Sequence, residues 1–222
     1  MIAVVLPTLD TPEPLARVLG ELPADLLAIV VDDASREPIP LPARPATMLV
    51  RHDTNRGYGA AQKSGFAEAF RAGADRIVLL HGDGQYPTLP TLALAEALGD
   101  EAGPAADAAL GSRFLVDPAV IPTWRRWGNA ALTGLANLRF GTSFSELHTG
   151  ARAYRADALR RLPLDRFSDD FLFDQQVICA LIRSGSRFVE RPVGTHYGAG
   201  ARSISPLRSV RYAAGCVREI LR

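Results

Sequence analysis

Short apolar runs alternate with helical patterns along this chain, and that alternation limits the folds open to it. "IAVVLP" reads as a strand, and "PEPLARVLGEL" as a helix with prolines in its first turn. "LLAIVV" and "ATMLV" read as two more strands, "GYGAAQKSGFAEAFRAG" as a helix opened by glycines, and "DRIVLL" as a fourth strand. A helix "TLPTLALAEALG" and a short strand "AALGS" follow. The strands are apolar on both faces, as in a parallel sheet covered by helices on each side. An α/β, Rossmann-like, mostly parallel sheet flanked by helices is therefore expected, in a single domain over 1–222. Residues 1–112 form a first half, and 113–222 a second half ending in an amphipathic helix.

In such sheets ligands bind beyond the carboxyl ends of the strands. Polar clusters stand at four of those ends: "TLD", "DDAS", "HDTNRG" and "HGDGQ". Four clusters converging on one edge describe a site for a polar ligand. Two phosphate-binding motifs come close and fail. "GYGAAQKS" would be a P-loop, but Gln62 stands where the loop needs its second glycine. The first turn, "PTLDTPEP", lacks the glycines of a dinucleotide fold, and prolines supply no N–H for a pyrophosphate.

Bulk properties remove other classes. The net charge is +1, which gives no sign of nucleic-acid binding. Cys179 and Cys216 lack metal-type spacing and read as reduced, buried thiols. No apolar run is long enough to cross a bilayer, and "MIAVVLP" has no basic signal-peptide start. A cytoplasmic location follows as the expectation, with contact at the inner face of the membrane left open.

The second half carries two helical stripes. Trp124, Trp127, Ala131, Leu135 and Leu138 fall on one face of "PTWRRWGNAALTGLANLRF", to face the core or to line an acceptor. Arg125 and Arg126 beside them are either surface charge or a phosphate contact. In the last helix Leu207, Val210, Ala214, Val217 and Leu221 share a face flanked by Arg208, Arg211, Arg218 and Arg222. Such a helix, 206–222, lies on an anionic membrane or packs on the domain.

Taken in order, the motifs resemble those of family-2 glycosyltransferases of the GT-A fold, in particular those similar to dolichol- and polyprenol-phosphate sugar synthases. The family's P-x-Y-N/E appears as "PTLD", VVDDGS as "VVDDAS", NRGKGAALRAGF as "NRGYGAAQKSGF" and DADGQHP as "HGDGQYP". "GSRF" is intact, and "TGARAYRADAL" matches TGFRAYRREAL. The resemblance runs from Pro7 to about Arg211.

It implies an inverting hexosyltransferase that uses a UDP- or GDP-linked sugar with Mg²⁺ or Mn²⁺. Asp83 takes the place of the metal-binding, catalytic carboxylate, with Gln85 beside it and His81 where relatives carry the first Asp of their D-x-D. Nucleotide-sugar contacts carry over to Pro7, Leu9 (in place of an aromatic), Asp10, Asp32, Asp33, Arg56, Gly59, His81, Gly82, Arg113, His196 and Arg202. If the acceptor is a polyprenyl phosphate, its oxygen is already anionic. A hydroxyl acceptor, on a saccharide or small metabolite, needs a base, for which Asp170 and Asp174 are candidates. Both also stand where helix caps and first-turn acids belong. A nucleotide-sugar-binding protein weakened in catalysis is the remaining alternative.

Overall fold

A computed structural model describes residues 1–99, 105–196 and 206–222, the side chains of 206–208 excepted. Its elements in chain order are β1 (Ile2–Thr8), α1 (Pro12–Glu21), β2 (Leu27–Asp32), β3 (Thr47–Arg51), α2 (Tyr58–Arg71), β4 (Arg76–Leu79) and α3 (Thr88–Ala97). Then come β5 (Ala108–Ser112), α4 (Thr123–Phe140), β6 (Arg152–Arg155), α5 (Ala156–Arg160), α6 (Leu172–Arg183), β7 (Phe188–Pro192) and α7 (Pro206–Leu221).

The strands form one sheet in the order β3-β2-β1-β4-β6-β5-β7. All run parallel except β6, which is antiparallel to both β4 and β5. The expected mostly parallel α/β sheet is therefore present, and β6 joins the two halves of the sequence by lying between strands of the first.

Alternation of side chains sets the two cores. Val4, Leu6 and Val30 pack with Leu15, Val18 and Leu19 of α1 and Leu94 of α3. Their neighbours Val5, Ile29 and Val31 point the other way, onto Phe66 of α2, Leu159 of α5 and Phe173 of α6. Each such side chain stabilises the fold by about 1.5–3 kcal/mol relative to exposure. A smaller cluster joins Ala136 of α4, Ile178 of α6 and Ile220 of α7. Cys179 and Cys216 are free and buried, as expected.

Both stripes of the second half turn outward. On α4 the buried residues are Thr133 and Ala136, while Trp124, Trp127 and Leu138 are exposed by 56%, 69% and 84%. The core-facing reading is thus corrected for Trp124, Trp127 and Leu138, while Leu135 packs on the cluster around Ala136. On α7 the buried residues are Cys216, Glu219 and Ile220, whereas Val210, Ala214 and Leu221 are exposed. That helix packs on α4 and α6 through a face different from its apolar stripe. Arg183 of α6 bonds Glu219 at 2.7 Å to hold it there. The side chains of Leu207 and Arg208 lie outside the described residues. Among the described residues, no helix is long and apolar enough to cross a membrane.

Candidate active site

Register brings the polar clusters to one edge. Thr8 pairs with Asp32, Asp32 with Arg51, and Val5 with Leu79, so β1 to β4 end side by side. The chain after β4 keeps this alignment, since Leu80 N–H donates to Val5 O and Gly82 N–H to Pro7 O. Pro7 is buried in β1 and Leu9 is half-buried just beyond it.

Most carboxylates at this edge are occupied by the protein itself. Asp10 accepts from the backbone N–H of Arg36 and from its Nε. Asp32 accepts from Ser35 N–H at 2.9 Å and pairs with Arg51 at 2.5 Å. Asp33 accepts from the N–H groups of Arg56 and Gly57, both at 2.8 Å, and bonds His52 Nδ1 at 2.7 Å. These bonds fix the loops after β1, β2 and β3 against one another. The Arg56 side chain is exposed beside them.

The start of α2 is likewise closed. Gly59 and Ala60 donate their N–H groups to Asp169 O, at 2.8 and 3.1 Å. Gly57 has φ +104°, and a Cβ there would lie 2.4 Å from the same oxygen, so glycine alone allows the contact. Lys63 donates to Phe167 O and to Asp169 Oδ1. It therefore ties α2 to the segment before α6 rather than standing in solvent. The helix N-terminus has no free N–H at Gly59 for a phosphate, which closes the P-loop reading.

Asp83 differs. It is half-buried, and Oδ1 accepts the Gln85 N–H at 3.0 Å across a turn whose Gly84 has φ +69°. The Gln85 carbonyl in turn accepts from His196 N–H at 2.8 Å and Thr195 Oγ1 at 3.1 Å. The segment after β7 is thereby latched onto this loop, with the His196 side chain exposed beside it. Arg202 lies outside the described residues.

His81 faces inward. Its Nε2 and the Tyr58 hydroxyl hydrogen-bond at 2.6 Å, and its ring stands edge-on to Tyr58 and Tyr86. A Cβ on Gly150 would fall 2.5 Å from that ring. Burial lowers the His81 pKa, with the charge of Asp83 opposing it, so the imidazole is neutral at pH 7. The expected ligand role for His81 meets a competitor, because Nε2 already has a partner. Tyr58 stands where the family motif has Lys, and His81 where it has Asp.

Two further predicted contacts are taken up inside the protein. Arg113 is buried and makes a forked ion pair with Glu146 through Nε and Nη2, with Nη2 also donating to His148 O at 2.9 Å. Its Nε and Nη2 are thus engaged within the protein rather than offered to a phosphate. Asp174 is buried, accepts from Gln62 Nε2 at 2.7 Å and lies 3.2 Å from Arg152 Nη1. Burial acts most strongly, to lower the Arg152 pKa, but Asp174, Tyr154 and Tyr58 together outweigh it and hold the guanidinium charged. The Asp174 carboxylate is thus engaged by Gln62 and Arg152 inside the protein. Asp170 is exposed, and its Oδ1 accepts the Phe171 N–H at 2.8 Å at the head of α6.

The arrangement suits a hard cation and a phosphate ester. Asp83 Oδ2 accepts no hydrogen bond among the described residues, Gln85 lies on the same turn, and His196 lies on the segment latched to it. Oxygen donors in small number match a divalent ion that keeps phosphate and water in its shell. No group of three or more His, Cys, Asp or Glu clusters for a metal among the described residues.

No family model matches the chain. An undecaprenyl-phosphate mannosyltransferase of Micrococcus luteus is 29% identical over 203 residues, covering 85% of this chain and 81% of the relative. A low-salt glycan biosynthesis hexosyltransferase of Haloferax volcanii is 27% identical over 214 residues, 91% of this chain and 49% of the relative. Among solved structures, glucosyl-3-phosphoglycerate synthase of Mycobacterium tuberculosis with Mg²⁺ and UDP superposes with a TM-score of 0.67 at 15% identity, over 100% of this chain and 78% of that one. The same enzyme with Mn²⁺, UDP and glucosyl-3-phosphoglycerate gives 0.64 at 16%, with the same coverage. That likeness carries the fold, and the relatives carry the kinship. With its ordered motifs, the chain is a glycosyltransferase of the GT-A fold, similar to family-2 members.

Proposed function

We propose that this enzyme moves a hexose from a UDP- or GDP-linked sugar to a polyprenyl phosphate, with inversion at the anomeric carbon. The observation that carries the acceptor class is the burial of Asp174 in its pair with Arg152. Of the two candidate bases, only Asp170 remains exposed. A phosphate oxygen is anionic at neutral pH and attacks in one displacement with no base to accept a proton. The Micrococcus luteus relative is named for such an acceptor.

Asp83 and Gln85 would hold Mg²⁺ or Mn²⁺, with His196, on the segment latched to that turn, beside the donor. When bound, the cation offsets charge developing on the nucleoside diphosphate leaving group. Pro7 and Leu9 would pack on the base. Asp10, Asp32 and Asp33 keep their loops in the shape that receives the donor, and their preorganisation lowers the cost of ordering on binding. Residues 1–112 then serve the donor and 113–222 the acceptor, at the inner face of the membrane.

The neighbouring solved enzyme favours a second reading, since one of its complexes holds UDP-glucose and phosphoglyceric acid. Radiolabelled UDP- and GDP-sugars, Mn²⁺ and either a short-chain polyprenyl phosphate in detergent or small phosphorylated acceptors separate the two. Turnover with the soluble acceptors alone would overturn the lipid reading.

A further inference from the structure

The exposed apolar side chains are concentrated on one part of the molecule. Leu115, Val116 and Val120 precede α4, and Trp124, Trp127 and Leu138 lie on it, all at least 42% exposed. On α7, packed beside α4, Val210 and Leu221 are 68% and 57% exposed. Scattered exposed apolar residues need no explanation, but a cluster of this kind marks a contact surface.

Its charge identifies the contact. Residues 115–140 carry Arg125, Arg126 and Arg139 against Asp117, and residues 206–222 carry Arg208, Arg211, Arg218 and Arg222 against Glu219. The two segments hold +2 and +3 in a chain whose total is +1, so the remainder is acidic, at −4. Glu219 is buried against Arg183, and an Asp117 oxygen is held by Ala119 N–H. The Arg125 guanidinium stacks 4.9 Å above the Trp124 ring. Trp beside Arg, with apolar neighbours and almost no acid, is the chemistry of a surface that enters the headgroup layer of an anionic bilayer.

We propose that α4, the segment 115–120 before it and the outer stripe of α7 form one docking surface for anionic lipid. The use of this surface, delivery of the site to a membrane-bound acceptor, rests on the lipid-phosphate reading above. Its existence does not.

Trp124 and Trp127 are the two tryptophans of the chain, so intrinsic fluorescence reports on this helix alone. Adding phosphatidylglycerol vesicles shifts the emission to shorter wavelength and sediments the protein, phosphatidylcholine vesicles do neither, and salt reverses both effects. Leu138→Ser, which keeps both reporters, weakens the binding, and Trp124→Ser/Trp127→Ser lowers sedimentation ~10-fold or more. The melting temperature and its rise with nucleotide stay as in the parent, because these side chains are mostly exposed. No shift and no sedimentation with either vesicle would overturn the proposal. So would a mass in solution that doubles without lipid and returns to monomer in the double variant, since a second copy would then cover the surface. Transfer to detergent-solubilised polyprenyl phosphate without vesicle binding removes the surface and leaves the acceptor reading intact. Vesicle binding without transfer to any lipid phosphate does the reverse.

Discussion

At the carboxyl edge of the sheet, Asp10, Asp32 and Asp33 each direct both carboxylate oxygens at partners inside the protein. On the flank formed by α4, Trp124, Trp127 and Leu138 are mostly exposed. The two regions reverse the usual roles of polar and apolar side chains. Loops that receive a charged, flexible donor must be held in shape beforehand, so most of their polar groups become scaffold. Asp83, half-buried on the loop after β4, keeps an oxygen open among the described residues. A flat surface that meets another apolar phase needs no such scaffold and leaves its large side chains outside.

The contrast can be broken at four points, beginning with the largest effect. Glu146→Ala strands the buried guanidinium of Arg113, and loss of one partner of such a pair costs about 3–5 kcal/mol. Urea denaturation reads this directly. A loss below about 1 kcal/mol would return Arg113 to the donor side, since a free guanidinium has no such penalty. Asp83→Ala acts the other way. Transfer falls by at least ~100-fold, about 2.7 kcal/mol, while stability changes by no more than about 0.5 kcal/mol. Unchanged transfer would mean that the open carboxylate is not the one that matters.

Acidity tests the buried polar layer between the two regions. His148 is held at a pKa of about 3, mainly by burial and then by the nearby charges of Arg152 and Arg113. In the unfolded chain it takes up a proton below about pH 6.5, whereas the folded chain keeps it neutral. Stability is therefore fully present above that pH and falls as pH drops towards 3, by up to about 1.4 kcal/mol per unit. Thermal melts between pH 7 and 5 show this slope, and His148→Gln flattens it. His81, also lowered by burial, contributes in the same direction.

The smallest effect concerns the Tyr58–His81 pair. The family's motifs carry Lys and Asp at these two positions, where this chain has a neutral hydrogen-bonded pair. His81→Asp alone places a carboxylate against the Tyr58 hydroxyl and lowers transfer by ~10-fold or less, near the cost of one strained hydrogen bond. Adding Tyr58→Lys restores it. Failure of the second change to restore transfer would show that the two sites are not exchanged as a unit. Manganese titrations of the same variants show whether the cation is held more tightly once a carboxylate stands at position 81.

Much of the fold was legible because fully buried strands are written as β-branched runs. "IAVVLP" and "LLAIVV" admit few other readings. The short β6 was harder, since "RAYR" carries two arginines and its burial depends on Asp174 from a distant helix. The convergence of the strand-end clusters could be inferred from the βα rhythm alone. Which of their oxygens were already taken could not, because Arg36, Arg51 and His52 reach them through tertiary contacts. The same limit applies to α4 and α7. A period of 3.6 residues identifies a face but says nothing about what lies opposite.

By itself the sequence determined the alternating α/β architecture, the edge at which polar groups gather and the likeness to one family of transferases. Those properties follow from local spacing and from residues in a fixed order. The tertiary structure decided that Asp83 stays open while Asp174 and Arg113 close on partners. It also decided that His81 turns inward to Tyr58 and that the tryptophans of α4 face out. Each of these depends on which residues the fold brings within about 3 Å of one another, a distance at which hydrogen bonds and ion pairs form and which no local pattern encodes.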